Sequence, residues 1–565
     1  MKNKIQHAQA ALRDAGLDAL FIPTQDPHAS EYPADCYKLR EYLSGFTGSA
    51  GELVITQTSA ALFTDGRYEL QAKAQLSDTG IEPRIVRSSV SAAIDYMRSS
   101  DIKNLGADFG IISSRQAEMF RSAGFSLSHF SLNNLWDARP ERPRSELNFF
   151  DYGSISDKLN AVRAQMGDAD AVLVSALDDI AWLLCFRARD IDYCPVAYAY
   201  CLVFKDRAEL FTDGEISPEL SDKFSEANVR IAKYSDASER ISSLPADSIL
   251  LADKASVCEE IINSAKAHMK NSESIAANLK TVKSEQEQKG FREAHILDGA
   301  ALTTLIYELK TGLLTGTELD VSERLWSLRK ERGCIMPSFE TISAYGANSA
   351  IVHYAPTPAT NAALRRRSFI LLDSGGHYPC GTTDVTRTVA LGELTQEEKR
   401  VFTLVLKGHI DLARSVFPAR TNGRQLDSIA RTPLQQENLD FAHGTGHGVG
   451  HVLIVHEGPA RISPSAPLSP IPIGTVISNE PGAYLAGKFG VRTENLMLCR
   501  PLRPGLNCFE TLTLAPIDLD AVIPEMLTSE QKRWLNEYHR RVRATLTDML
   551  PPAAAAWLKK ASESI

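Results

Sequence analysis

The sequence predicts two successive α/β domains followed by a larger α+β domain, on three observations. The first is a weak internal repeat. LDALFIPTQD at 17–26 and ADAVLVSALDD at 169–179 are apolar runs ending in polar turns, and LFTDGR at 62–67 returns as LFTDGE at 210–215. A strand pattern recurring at similar offsets implies two related units, each a central sheet flanked by helices. The second observation is length, since 565 residues exceed one ordinary core. The third is a change of pattern near residue 280. There KTVKSEQEQKGFREAHILDGAALTTLIYELKTG opens a strongly helical section, and strands such as SFILLD and GTVISNE then alternate with helices. The expected domains are 1–135, 150–280 and 281–565.

Taken in order, MKNKIQHAQAALRDAGLDALF reads as an amphipathic helix leading into a strand. It lacks the continuous apolar core and small-residue cleavage site of a signal peptide. The stretch ARPERPRSE, Ala138 to Glu146, is proline-rich and charged and reads as a linker. Hydrophobic content of 44% and charged content of 23% are those of a soluble globular protein. The net charge of -9 comes with no basic block, so neither nucleic acid nor an anionic membrane is an expected partner. No stretch approaches transmembrane length. The nine cysteines are scattered, with no CxxC pair, which points to a reducing cytoplasm.

The chemistry is concentrated in the last 200 residues or so, where Asp373, Asp384, His447, Glu480 and Glu494 follow one another. The four acids lie in or beside apolar or turn-bounded runs, where burial disfavours a charged carboxylate. Brought together they would repel one another, and an ionised cluster requires a compensating cation. Two divalent ions carry four positive charges and match this set, so the residues indicate a dinuclear metallohydrolase. Asp373 ends the strand SFILLD before a Ser-Gly-Gly turn, and Asp384 follows eleven residues later in GTTDVTRT, so one hairpin would join them. Glu480 and Glu494 repeat the arrangement fourteen residues apart, with Pro481 and Gly482 as the turn. Around His447, the histidines 443, 447, 451 and 456 crowd into fourteen residues out of thirteen in the chain. Intervening glycines disfavour a helical zinc site built from His443, His447 and His451. His451 is expected at the surface, and Cys380 as a small buried residue.

The motifs SAYGANSAIVHYAP, GTTDVTRT, AHGTGHGVG, VHEGPA, SNEPGAY and FGVRTEN, in that order, resemble the catalytic domain of the Xaa-Pro aminopeptidases (aminopeptidase P), relatives of the creatinases and methionine aminopeptidases. REYLSGFTGSAG at 40–51 and LFTDGRYELQA at 62–72 resemble the first domain of the cytosolic three-domain enzymes, and FETLTLAPIDLD and WLNEYH fit the same branch. The chain departs from the family at Pro379 and Cys380, where an acidic residue is usual, and at Ala483, where an aromatic is common.

The resemblance implies two creatinase-like α/β domains and a pita-bread catalytic domain. It assigns Asp373, Asp384, His447, Glu480 and Glu494 as metal ligands. Glu480 is then also the proton acceptor, His353, His443 and His456 support or face the substrate, and Arg492 orients the carboxylates. The implied cofactors are two divalent ions, manganese first and cobalt or zinc possible in the same oxygen-rich site, with a shared hydroxide as nucleophile. The implied substrates are peptides with proline second, cut by a cytoplasmic homodimer. The alternatives are a prolidase restricted to dipeptides, a creatinase-like amidinohydrolase, which lacks this ligand set, and a non-catalytic pita-bread module that binds peptides or proteins.

Overall fold

The computed structural model describes residues 2–565, Asn134 by its backbone alone. The chain forms two compact units that divide between Leu279 and Lys280.

The first unit is built on two six-stranded sheets. The strands of the first are β1 (Ala19–Ile22), β2 (Glu52–Thr56), β3 (Ala60–Thr64), β4 (Glu82–Ile85), β5 (Asn104–Ala107) and β6 (Ser126–His129). Those of the second are β7 (Ala171–Val174), β8 (Ala199–Phe204), β9 (Ala208–Thr212), β10 (Val229–Ala232), β11 (Ile249–Ala252) and β12 (His268–Asn271). The orders are β4-β3-β2-β1-β5-β6 and β10-β9-β8-β7-β11-β12, strand for strand the same. Pairing directions also agree, antiparallel through β1-β2-β3 and β7-β8-β9 and parallel elsewhere. The repeated sequences therefore occupy equivalent strands, β1 with β7 and β3 with β9. The central strands are apolar throughout because both sheet faces are covered. Leu20, Ile22, Leu53, Ile55 and Leu62 fill the core on one face. The alternate residues Ala19, Phe21, Val54, Ala61 and Phe63 fill the other. The opening helix Lys2–Asp14 precedes β1, and residues 138–146 carry no helix or strand.

The second unit begins with α1 (Glu285–Thr311), started by a reciprocal capping box between Ser284 and Glu287 and stopped by Gly312 at φ 78°. A three-stranded sheet follows, β13 (Ile342–Tyr345), β14 (Phe369–Ser374) and β17 (Val385–Ala390), with β14 central. Between β14 and β17 the chain makes a small hairpin, β15 (Gly376–Tyr378) and β16 (Gly381–Thr382). The larger sheet contains β18 (Val416–Pro418), β19 (Gly446–Gly448), β20 (Glu457–Ile462), β21 (Val476–Asn479), β24 (Asn495–Arg503) and β25 (Leu506–Thr511), in the order β18-β25-β24-β21-β19-β20. A second small hairpin, β22 (Gly482–Leu485) and β23 (Phe489–Arg492), joins β21 to β24. Helices α2 (Gln396–Ala413) and α3 (Gly423–Gln435) pack together, and α4 (Ser529–Leu546) lies near the C-terminus. Among the described residues, no helix is long and apolar enough to cross a membrane.

Both acid pairs are joined less simply than one hairpin each. Asp373 and Asp384 lie at the ends of β14 and β17, and Glu480 and Glu494 flank β21 and β24, but a separate hairpin intervenes in each case. Pro481 and Gly482 lead into the inserted hairpin, and the reversal comes at Gly487, φ 73°. The pairing that brings the acids together is made by the outer strands.

Gly290 shows how closely α1 approaches the first inserted hairpin. A Cβ there would stand 2.1 Å from the Cys380 carbonyl oxygen and 3.0 Å from His451 Nε2. Alanine gains about 0.5–1 kcal/mol in a helix, but overpacking costs about 1–3 kcal/mol. Gly290→Ala should therefore lower the urea midpoint at unchanged slope. A midpoint equal to or above the wild type would contradict the close approach.

Candidate metal centre

Strand pairing places the acids. In the β14–β17 register Asp373 faces Thr386, and Thr386 in turn donates its hydroxyl to Glu494 Oε2 at 2.8 Å. The Glu494 amide also donates to the Thr386 carbonyl at 3.1 Å, so the smaller sheet is tied to the strand end that carries Glu494. The Glu480 amide donates to the Thr445 carbonyl at 2.8 Å, two residues before His447. His447 donates its amide to Ser478 Oγ at 3.0 Å, and its Nδ1 lies 2.9 Å from the Gly448 carbonyl. That leaves Nε2 directed at the acids, 3.5 Å from Asp384 Oδ2 and 3.5 Å from Glu480 Oε1. Close backbone packing makes this possible, since a Cβ at Gly446 would fall 2.0 Å from the Ser478 carbonyl.

One ligand atom each of Asp384, His447 and Glu494 lie within 4.8 Å of one another. Asp373 joins through Arg492, whose Nη2 donates to Asp373 Oδ2 at 2.5 Å. The other oxygen, Asp373 Oδ1, is buried with no hydrogen-bond partner. A buried carboxylate oxygen without a donor costs about 1–3 kcal/mol or more, and a cation removes that cost. Oxygen and imidazole donors of this kind suit hard divalent ions, so the residues fit a metal centre.

The electrostatics of the bare side chains lead to the same conclusion. Burial pushes Glu480 up to about 7, although His447 and Arg492 pull the other way. Burial and then the neighbouring acids push Glu494 well up, and burial raises Asp373 against the opposing charge of Arg492. For His447 burial disfavours the charge, but the hydrogen bond to Asp384 and the charges of Glu480 and Asp384 win, raising it to about 9. Without a cation the cluster therefore retains protons near neutrality.

The remaining residues singled out from sequence surround this cluster. Arg492 is 2% exposed, and its Nη1 donates to Tyr484 Oη at 2.6 Å and to the Val352 carbonyl at 3.3 Å. His353 follows that carbonyl in a half-buried turn. His443 Nε2 lies 2.7 Å from Tyr484 Oη, and its Nδ1 is 3.8 Å from Glu480 Oε2. The His456 ring stands edge-on to His447 with centroids 4.4 Å apart. His451 is a correction. The expected surface residue is 1% exposed, its Nε2 lies 2.8 Å from the Cys380 carbonyl, and its ring packs edge-on to Phe291. Cys380 itself is only half-buried, and burial pushes its thiol up to about 11, which keeps it protonated.

Sequence reasoning missed Tyr484 and Thr386, which connect Arg492, His443 and Glu494. Tyr484 was marked only by its position four residues after Glu480. It also missed the ion pair of Lys283 with Glu457, each about 1% exposed in its side chain, beside His456.

Strand ends that gather four acids and a histidine present the donor set of a divalent-metal centre. Residues 289–501 match the description of metallopeptidase family M24, and residues 505–565 that of the C-terminal region of peptidase M24. Residues 4–136 and 138–287 match two descriptions of the creatinase/prolidase N-terminal domain. Aminopeptidase P2 of Arabidopsis thaliana is 37% identical over 95% of this chain and 84% of its own length. A probable Xaa-Pro aminopeptidase P of Laccaria bicolor is 37% identical over 97% of this chain and 91% of its own. An X-prolyl aminopeptidase from Caenorhabditis elegans, described as a cytosolic enzyme with a di-nuclear active site, superposes with a TM-score of 0.93. It is 31% identical, with 100% of this chain and 99% of that chain covered. The prolidase of Pyrococcus horikoshii is 26% identical and reaches a TM-score of 0.52 over 64% of this chain and 99% of that one. The chain belongs to the M24 metallopeptidases, in the aminopeptidase P branch.

The charge balance predicts how stability depends on pH. The raised Glu480, Glu494 and Asp373 stabilise the metal-free fold fully below their unfolded values, about 4. That contribution is lost as pH rises through their folded values, about 7 for Glu480. The His447 contribution is complete below about 6.5 and is lost as pH rises through about 9. All four act in one direction, so chelator-treated protein should melt at progressively lower temperature between about pH 5 and pH 9. Added manganese should raise the melting temperature more at pH 8 than at pH 6. Thermal scans across pH, with and without metal, check this, and a stabilisation independent of pH would contradict it.

Proposed function

We propose that the protein is an Xaa-Pro aminopeptidase that releases the first residue from peptides whose second residue is proline. The observation that carries this is the match, over nearly the whole chain, to a probable Xaa-Pro aminopeptidase P and an X-prolyl aminopeptidase, together with the five ligand-type residues Asp373, Asp384, His447, Glu480 and Glu494 in this chain. The extent of the likeness favours it over a prolidase, since the prolidase match covers 64% of the chain and the X-prolyl aminopeptidase match all of it. We assign Asp373, Asp384, His447, Glu480 and Glu494 as ligands of two divalent cations, with manganese as the first choice. Cytoplasmic location and a homodimer complete the proposal, the location supported by the cytosolic Caenorhabditis relative.

When bound, two divalent ions supply Lewis-acid polarisation of the scissile carbonyl and acidification of water. The side chains do the rest. Glu480, whose Oε1 lies 3.5 Å from His447 Nε2 among the acids, would take a proton from water and return it to the leaving proline nitrogen. Arg492 holds Asp373 in place and, through Tyr484, fixes His443. His456 and His353 contact the peptide and the developing oxyanion. The scissile nitrogen of an Xaa-Pro bond is tertiary, has no N–H to be recognised and restricts the residue before it. A pocket shaped to the ring is therefore required to bring the bond to the reacting groups.

Manganese-loaded protein should release arginine from Arg-Pro-Pro and react far more slowly with Arg-Ala-Pro. Product chromatography decides. Cleavage confined to the dipeptide Arg-Pro would establish a prolidase, and equal turnover of the two tripeptides a general aminopeptidase.

Asp384→Asn should abolish turnover together with metal binding. His456→Ala should leave metal bound and lower kcat by roughly 100- to 1000-fold, the usual cost of one oxyanion donor. Elemental analysis beside steady-state kinetics separates the two effects, and loss of metal from His456→Ala would reverse the assignment.

A further inference from the structure

Behind the carboxylates, His409 of α2 is fully buried and belongs neither to the acid cluster nor to the substrate-facing histidines. Its Nδ1 lies 3.1 Å from the Asn479 carbonyl oxygen, and its Nε2 lies 3.0 Å from Asn495 Nδ2. Burial, reinforced by the Arg387 guanidinium, lowers the imidazole to about 3, so the ring stays neutral. A single tautomer satisfies both contacts, with Nδ1–H donating to the carbonyl and Nε2 accepting from the amide. Asn479 Nδ2 donates back to the His409 carbonyl at 2.9 Å. Asn495 Oδ1 accepts from Arg387 Nη2 at 2.8 Å, and Arg387 Nη1 donates to the Glu494 carbonyl at 2.7 Å.

Asn479 and Asn495 are direct partners in the β21–β24 register. Each is the sequence neighbour of one acid, Glu480 or Glu494, and alternation along a strand sends neighbouring side chains to opposite faces. One imidazole thus bridges, from behind, the two strand ends from which the acids project. The network is an expensive way to fill a core, since it leaves Asn479 Oδ1 without a partner, and a well-packed apolar side chain would bury no polar group. Placement of the acids accounts for it, because groups behind a ligand set its geometry.

We infer that His409 is a positioning residue that fixes the separation of Glu480 and Glu494 for the cations they hold. This rests on the metallopeptidase reading above. Wild-type protein tests that reading separately, because absence of bound metal and of tripeptide turnover in the wild type would defeat it whatever the variants do.

The test of His409 uses His409→Leu, which fills the space without polar contacts, and His409→Gln, which carries a donor and an acceptor. Metal affinity is read by competition with a chelator, ligand geometry by the visible absorption of cobalt-loaded protein, and catalysis by kcat and KM on Arg-Pro-Pro. The leucine variant should lose about 10- to 100-fold in metal affinity and in kcat, shift the cobalt bands, and leave KM nearly unchanged. Glutamine should recover most of each loss. If the leucine variant does not fold, His409→Asn, too short to span both partners, is held to the same criteria. A folded variant with wild-type affinity, cobalt spectrum and kcat would overturn the inference, as would glutamine performing no better than leucine.

Discussion

Four carboxylates cannot share a buried space unless something pays for their repulsion, and the catalytic unit is organised around that constraint. Arg492 offsets part of the charge and fixes Asp373. Thr386 donates to Glu494, and the imidazole of His447 lies between Asp384 and Glu480. These contacts are too few to match four negative charges. The raised affinities for protons at Glu480, Glu494 and Asp373 record the shortfall. On the proposed assignment, divalent cations held by these acids would supply the missing positive charge.

The scaffold meets this demand with polar networks on the side away from the acids. Arg329 is buried against Asp298, with its other donors reaching Ser374 Oγ and the Gly375 carbonyl just past Asp373. Tyr378 donates to Asp298 Oδ1 at 3.0 Å. Arg387 does the corresponding work near Glu494, bonding only to carbonyl, amide and hydroxyl oxygens, among them Tyr538 Oη. A buried guanidinium is costly in itself, but its five donors form a rigid fork that can fix several backbone segments at once.

Much of this was legible in the sequence because it rests on local pattern. The repeated LFTDG strands announced two sheets of one topology, since an apolar run bounded by a turn constrains position in a sheet even when overall similarity is faint. The ligand-type residues were legible because an acid beside an apolar strand is costly to bury unless a cation or a donor meets it. What stayed hidden depends on three-dimensional approach. Nothing local distinguishes His451, buried under the Cys380 carbonyl, from an exposed histidine, because its burial comes from Phe291 on a distant helix. Tyr484 and His409 matter through partners that no spacing rule connects to them. The inserted hairpins were read as single turns for a related reason, since Gly and Pro mark a change of direction without saying which strand follows.

Those hairpins have a consequence for how such a chain can vary. The acids of each pair are held together by strands outside the insertion, β14 with β17 and β21 with β24, so the number of residues between them does not set their distance. Eleven positions separate one pair and fourteen the other. Closing a longer loop costs only a logarithmic penalty, and the tip at Gly487 meets open space. Segment length at that tip is thus a freely adjustable coordinate, on which loops of different size can be grafted without moving the chemistry beneath them.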